Sequence, residues 1–206
     1  MAVVVVGGNS RNIGKTTVVA NLIASLPEFG WTAIKITQYG HSFCTANGEP
    51  CECQTAQHTL AITEELNPSS GKDTSRFLAA GAVRVLWVRT RSGQLAEAIP
   101  RLRQELAQAP NTIIESNRVL QFLRPDLYLA VLDSSTADFK DSARRYLDRA
   151  DAILLKEAGK ELTPRWQGIS AKLFAGKPQF GITAPDFQNP MLVDFVRERI
   201  NQSRNE

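Results

Sequence analysis

The chain has 206 residues, a length that suits one α/β domain with a full hydrophobic core. Hydrophobic residues make up 43% and charged residues 22%, the balance of a folded globular protein and not of a disordered one. The net charge of +3 is spread along the chain, which argues against a nucleic-acid-binding block, and no apolar run reaches the length of a membrane span.

The first element is an apolar strand over Ala2–Val6. No charged leader or cleavage site precedes it, so a cytoplasmic protein with reduced thiols is expected. A Gly-rich stretch follows, Gly7-Gly8-Asn9-Ser10-Arg11-Asn12-Ile13-Gly14-Lys15-Thr16-Thr17, and then a helix over Lys15–Ser25. Strand, Gly-rich loop, Lys-Thr and helix in that order describe a phosphate-binding loop. Its backbone N–H groups and the positive end of the helix cradle phosphate oxygens. Gly8, Asn12, Gly14, Lys15, Thr16 and Thr17 are the candidate nucleotide contacts. Lys15 reaches the outer phosphates, and the Thr16 hydroxyl is placed to ligate Mg²⁺. The strict spacing would need Gly at position 9, where this chain has Asn.

A second strand is expected over Thr32–Thr37, and Lys35 interrupts its apolar run. Lys35 either snorkels to the sheet edge or faces the phosphates. Residues 38–58 read as an irregular polar insert. Helical segments are expected over His58–Leu66 and Ser75–Ala80, and a strand over Val83–Val88. A helix over Leu95–Ala107 repeats its apolar residues at helical spacing. Further strands are expected over Thr112–Ile114, Leu127–Leu132 and Ala152–Leu155, with a helix at Ser142–Leu147 before the last. A helix from Pro164 to Leu173, a closing strand over Gln179–Ile182 and a terminal helix over Met191–Ile200 complete the order. Asn201–Glu206 is expected to fray. Strands alternating with helices predict an α/β fold with a mostly parallel sheet, as one domain over residues 1–206.

Glu115 ends the short strand Thr112-Ile113-Ile114, at the edge where open α/β sheets bind ligands. A carboxylate there suits Mg²⁺ and the attacking water of a nucleotide hydrolase, and the plainer reading is a solvated strand end. Asp133 ends the next strand and reads equally well as a turn residue. Trp87, Arg89 and Arg91 stand at the end of the strand expected over Val83–Val88. The two arginines suit an anionic substrate, or else a solvated strand end.

On these residues the chain resembles P-loop NTPases of the class containing dethiobiotin synthetase, the nickel-insertion GTPases and the molybdopterin-guanine dinucleotide biosynthesis B (MobB) family. The Gly8-to-Lys15-Thr16 spacing is similar to dethiobiotin synthetases. Gly71-Lys72-Asp73-Thr74-Ser75-Arg76 with Ala80-Gly81-Ala82 resembles a stretch of MobB-like proteins, as does Ile34-Lys35-Ile36-Thr37. Ile114-Glu115-Ser116-Asn117 is similar to the acidic strand end of the nickel-insertion GTPases. The resemblance implies a three-layer α/β P-loop NTPase fold, Mg²⁺ with ATP or GTP, and Asp73 as a helper to Glu115. Where the GTPases read guanine with Asn-Lys-x-Asp, this chain has Leu155-Lys156-Glu157-Ala158. Only Lys156 matches, so no guanine preference follows.

All three cysteines and both histidines fall in residues 41–58, as His41, Cys44, Cys51, Cys53 and His58. Thiolates and imidazoles together suit Zn²⁺ or a similar metal, although Cys51-x-Cys53 is not the usual finger spacing. Free thiols are the alternative.

Three functions fit. The first is a Mg²⁺-dependent nucleoside triphosphatase, MobB-like, serving molybdopterin-cofactor or metallocentre maturation beside a partner metalloenzyme or biosynthetic protein, as a monomer or homodimer. The second is an ATP-dependent ligase or kinase resembling dethiobiotin synthetase, with Lys35 and Arg89 on its substrate. The third is a metal-binding adaptor or metallochaperone with little turnover.

Overall fold

The computed structural model describes residues 1–39, 60–156 and 166–205. Strands β1 (Ala2–Gly8), β2 (Trp31–Tyr39), β3 (Leu60–Glu64), β4 (Arg84–Arg91), β5 (Asn111–Glu115), β6 (Leu127–Asp133), β7 (Ala152–Lys156) and β8 (Gln179–Ile182) form one sheet. Their spatial order is β3-β4-β2-β5-β1-β6-β7-β8. Every pairing is parallel except that of β3 with β4. Helices α1 (Lys15–Ser25), α2 (Asp73–Ala79), α3 (Leu95–Gln108), α4 (Asp141–Tyr146) and α5 (Pro190–Asn205) supply the outer layers. The architecture is three-layer α/β with a mostly parallel sheet, as expected from the alternation of strands and helices.

Both faces of the sheet are apolar because both are covered. On one face Val4, Val6, Ala33 and Ile113 meet Val18, Val19, Leu22 and Ile23 of α1 and Leu192, Val196 and Ile200 of α5. On the other, Val5, Ile34, Leu86 and Ile114 meet Leu95, Ala98, Ile99, Leu102 and Leu106 of α3. The α3 spacing of three and four residues is the apolar stripe read from the sequence.

The first face changes character toward the carboxyl ends of the strands. Alternate residues share a face. Along β2 the series is Ala33, Lys35, Thr37; along β4, Val85, Trp87, Arg89; along β5, Ile113, Glu115; along β6, Val131, Asp133. An apolar floor therefore ends in a polar and charged rim beside the start of α1.

Three expectations are corrected. Residues 60–64, expected in a helix, form strand β3. Its Leu60 and Ile62 pack on the core at period two, and Leu60↔Thr90 through Glu64↔Leu86 pair it antiparallel to β4. The helix expected up to Leu173 is absent over residues 166–170, where Gly168 takes a positive φ of 71°. Only a single 3₁₀ turn, Ala171–Leu173, follows. Residues 201–205, expected to fray, continue α5.

Candidate functional site

The Gly-rich loop between β1 and α1 is built to come close to its neighbours. A Cβ at Gly8 would lie 2.8 Å from the Val131 carbonyl oxygen. Gly14 caps α1 with φ at +97°, and a Cβ there would meet the Phe187 ring at 2.8 Å. Gly8 is therefore required by contact, and Gly14 by contact as well as by conformation. Asn12 also takes positive φ, which Asn tolerates better than most residues.

Asn9, where the strict motif has Gly, is fully buried. Its side chain accepts from the Asp133 backbone N–H at 2.9 Å and donates to the carbonyls of Asp133 and Asp138 at 3.3 and 3.1 Å. Ser10 Oγ donates to Asp138 Oδ2 at 2.6 Å. Asn117 grips the loop entry from the other side. Its amide donates to the Gly8 carbonyl at 2.8 Å and its oxygen accepts from the Gly8 N–H at 2.7 Å. The extra length of the loop is thus tied down by two asparagine side chains.

Lys15 donates to the Ser10 carbonyl at 2.6 Å, curling back over its own loop. Its pKa is lowered, chiefly by burial; Glu115 opposes the shift, Lys35 adds to it and Asp73 opposes it. Thr16 Oγ1 donates to Glu115 Oε2 at 2.9 Å. In-register pairing sets Glu115 beside both Val6 and Lys35. Lys35 Nζ then lies 2.9 Å from Glu115 Oε2, 2.6 Å from Asp73 Oδ2 and 3.2 Å from Thr16 Oγ1. Burial works against the Lys35 charge, but Glu115 and Asp73 outweigh it and raise the pKa. Of the two readings of Lys35, the geometry is the one that faces the loop. Lys35, Glu115, Asp73 and Thr16 converge on one point although they come from four separate elements.

Thr17 is held by α2, since Arg76 Nη2 donates to its hydroxyl at 2.8 Å. On the far side of the loop, the Lys140 backbone N–H donates to the Asn9 carbonyl at 2.8 Å. Burial, followed by repulsion from Lys15 and Arg11, pushes the Lys140 ammonium down to about 8. Asp133 sits as a turn residue and as an ion-pair partner. It accepts from the Ser135 N–H at 2.9 Å as a turn residue and holds Lys156 Nζ at 2.7 Å. Burial opposes the Asp133 charge, but Lys156 and Ser135 hold its pKa below the usual carboxylate range. Lys156 thus spends its charge on Asp133. The residues after it, 157–165, lie outside those described.

Trp87 donates from Nε1 to Thr37 Oγ1 at 2.9 Å. The Arg89 guanidinium carbon sits 4.5 Å from its ring centroid and Lys72 Nζ 5.8 Å. Arg91 is exposed. His41, Cys44, Cys51, Cys53 and His58 lie outside the described residues. Among the described residues, no three His, Cys, Asp or Glu side chains gather as a metal site.

LpxK from Aquifex aeolicus, solved with ATP, superposes at a TM-score of 0.51 over 88% of this chain and 53% of that one, at 18% identity. HypB from Helicobacter pylori, solved with nickel, superposes at 0.50 over 98% and 86%, at 16% identity. The chain has the P-loop NTPase fold. MobB from Bacillus subtilis also matches, at a TM-score of 0.43 over 97% of this chain and 98% of that one, with 18% identity, too loosely to argue from. At these identities the likeness is one of fold. The chain spans about half the length of LpxK. No protein-family model and no curated protein matches the sequence. The Gly-rich loop, residues 9–14, stands between β1 and α1.

Asn9, Asn117, Arg76 and Lys140 carry this geometry without having been singled out from the sequence. Asn9 had a signal, since it breaks the strict spacing at the place where the loop meets β6. Asn117 stands two residues beyond Glu115 and is legible once β5 is placed next to β1. Arg76 and Lys140 had none, because only the packing of α2 and of the segment before α4 brings them to the loop.

Proposed function

We propose that the chain binds a Mg²⁺–nucleoside triphosphate in the loop of residues 8–17 and cleaves its terminal phosphoryl bond. The observation that carries this reading is the meeting of three oxygens, Thr16 Oγ1, Glu115 Oε2 and Asp73 Oδ2, around one cationic nitrogen beside Lys15. Such hard oxygen donors suit Mg²⁺, which takes carboxylate, hydroxyl and phosphate oxygens. Thr16 and Glu115 would hold the ion, with Asp73 near, and the ion would neutralise charge on the phosphates. Lys15 would release the Ser10 carbonyl and turn to the outer phosphates. The loop amides and the start of α1 would cradle the rest. Lys35 would contact the terminal phosphate from β2. LpxK was solved with ATP on this fold, which supports the nucleotide reading.

The base is not assigned. Lys156 is paired to Asp133, and position 158 is Ala, so weak selection between ATP and GTP follows. A MobB-like role in molybdopterin-cofactor or metallocentre maturation, with a partner protein, is supported by the resemblance of residues 71–82. Zn²⁺ at Cys44, Cys51, Cys53 and His41 or His58 is supported by the clustering of those residues in sequence. A single domain, a cytoplasmic location and a homodimer belong to the same reading.

A second reading, phosphoryl transfer to a small molecule, is favoured by the row Lys35, Trp87, Arg89, which extends the cationic rim away from the loop. Incubation with Mg²⁺ and ATP or GTP tests both. Release of inorganic phosphate by the chain alone supports hydrolysis. Phosphate release or label transfer only in the presence of a second small molecule supports transfer. No nucleotide turnover under either condition, with or without Zn²⁺, would leave the adaptor reading.

A further inference from the structure

Two threonines open α1, and their hydroxyls point to different neighbours. Thr16 Oγ1 turns to Glu115 at the sheet edge, at 2.9 Å. Successive residues of a helix are set about 100° apart around its axis. The Thr17 hydroxyl accordingly faces α2, where it accepts from Arg76 Nη2 at 2.8 Å.

The seat of α2 is fixed by other residues. Thr74, Ser75 and Phe77 are buried, and Phe77 joins the core beneath the helix. Thr74 Oγ1 donates to Glu65 Oε2 at 2.9 Å, and Ser75 Oγ donates to the Lys72 carbonyl at 2.7 Å. Asp73 and Arg76 are three residues apart, so they are neighbours on the helix surface. Both reach residues of the nucleotide site. Asp73 takes the Lys35 ammonium at 2.6 Å, and the exposed Arg76 takes Thr17.

The two positions are not equivalent. Asp73 stands at the corner where Lys35, Glu115 and Thr16 meet, the place of Mg²⁺ and the terminal phosphate in the proposed nucleotide complex. Arg76 starts about 4.5 Å further along α2, at 1.5 Å per residue, and its guanidinium lies on Thr17 and not on Thr16. The carboxylates on this side are engaged elsewhere. Asp73 and Glu115 hold Lys35, and Glu65 holds Ser70 and Thr74. Arg76 holds a neutral hydroxyl that itself belongs to the phosphate loop. A phosphate that reaches Thr17 therefore arrives beside a planar, permanently charged group whose N–H groups match phosphate oxygens in pairs. Exchange of the hydroxyl for a phosphate oxygen strengthens the contact, because both partners then carry charge.

We propose that Arg76 is a phosphate ligand in its own right. With Thr17 it binds the α-phosphate, at the inner end of the chain, while Lys15, Lys35 and Mg²⁺ serve the outer phosphates. The inference rests on the nucleotide reading and adds to it a residue from outside the loop and a place along the phosphate chain. Nucleoside diphosphates and triphosphates gain equally from such a contact. A mere clamp between α2 and α1 would favour neither.

Calorimetry of the whole chain with MgATP, MgADP and the Rp and Sp isomers of ATPαS separates the two roles, since sulfur replaces one α-phosphate oxygen in each isomer. Circular dichroism confirms the fold of each variant. Arg76→Gln should weaken MgATP and MgADP by the same factor, at least about tenfold, the loss of a hydrogen bond between charged groups. The wild type should prefer one ATPαS isomer, because sulfur accepts poorly from the guanidinium, and Arg76→Gln should narrow that preference severalfold. Arg76→Lys keeps the charge without the fork. It should recover part of the affinity but not the isomer preference, and it carries the test if Arg76→Gln does not fold. Wild-type affinity of Arg76→Gln for both nucleotides would overturn the inference, as would an isomer preference that the variant leaves untouched. A loss for ATP that ADP does not share would also overturn it, by putting the guanidinium at the terminal phosphate. In each of these cases the nucleotide reading stands. If the wild type binds neither nucleotide, both fall together.

Discussion

Glu115 touches the Thr16 hydroxyl and the Lys35 ammonium with one oxygen. Replacing it by Gln keeps the shape and removes the charge. In Glu115→Gln, nucleotide binding should persist while turnover falls by about two orders of magnitude or more, as expected when a metal- or water-orienting charge is lost. Single-turnover assays beside calorimetry check this, and unchanged turnover would return Glu115 to a strand-end carboxylate. Lys140 gives a different signature. Its pKa falls from the ordinary 10.5 to about 8, so the folded, nucleotide-free protein strains against its charge. A depressed ammonium penalises folding fully below pH 8, and the penalty lifts as pH rises from 8 toward 10.5. Lys140→Gln should therefore raise the melting temperature of the nucleotide-free protein at pH 7, with a smaller gain at pH 10. The same change should weaken triphosphate binding, because the phosphates would have welcomed that charge. Wild-type affinity should fall as pH rises above 8. A variant that is less stable at pH 7 and binds nucleotide normally would refute this reading of Lys140.

At the level of elements, the loop is held by its neighbours more than by its own sequence. Asn9 ties it to the turn after β6, and Asn117 ties it to the turn after β5. Asn9→Ala would strand the buried Asp133 N–H and take the Asn9 donor from the Asp138 carbonyl, while the Asp133 carbonyl keeps the Trp166 indole N–H at 3.1 Å. The expected cost is about 1–3 kcal/mol in denaturant unfolding, together with weaker nucleotide binding. Asn9→Ala with wild-type stability would mean that these hydrogen bonds contribute nothing net. Of the insert read over residues 38–58, Gln38 and Tyr39 end β2 and the rest lies outside the described residues. If its cysteines and histidines hold Zn²⁺, elemental analysis should find about one per chain. Cys51→Ser with Cys53→Ser should then remove it and leave nucleotide binding intact. Wild-type protein that takes up no Zn²⁺ would end that proposal.

Across the whole molecule, seven of the eight strands were legible because each is a short apolar run bounded by turn residues. The loop of residues 8–17 was legible because its chemistry is local. Residues 60–64 were not, since five residues with Leu60 and Ile62 two apart fit either a helix or an edge strand until β4 supplies the partner. The end of α5 was missed because its last residues are polar, and polarity alone does not stop a helix already anchored through Val196 and Ile200. Glu115 was legible from its strand end. The convergence of Lys35 and Asp73 on it was not, because it depends on β2 lying next to β5 and on α2 packing against β2 and β4.

The central claim is that the loop of residues 8–17 is a triphosphate site whose main side-chain counter-charge is Lys15. Calorimetry of the wild type and Lys15→Ala with MgATP and with MgGTP tests it most directly, with circular dichroism to confirm that the variant is folded. The wild type should bind both nucleotides with affinities within about tenfold of each other, a difference of roughly 1.4 kcal/mol. The folded variant should lose tight binding of both. A folded Lys15→Ala that binds either nucleotide as tightly as the wild type would contradict the account.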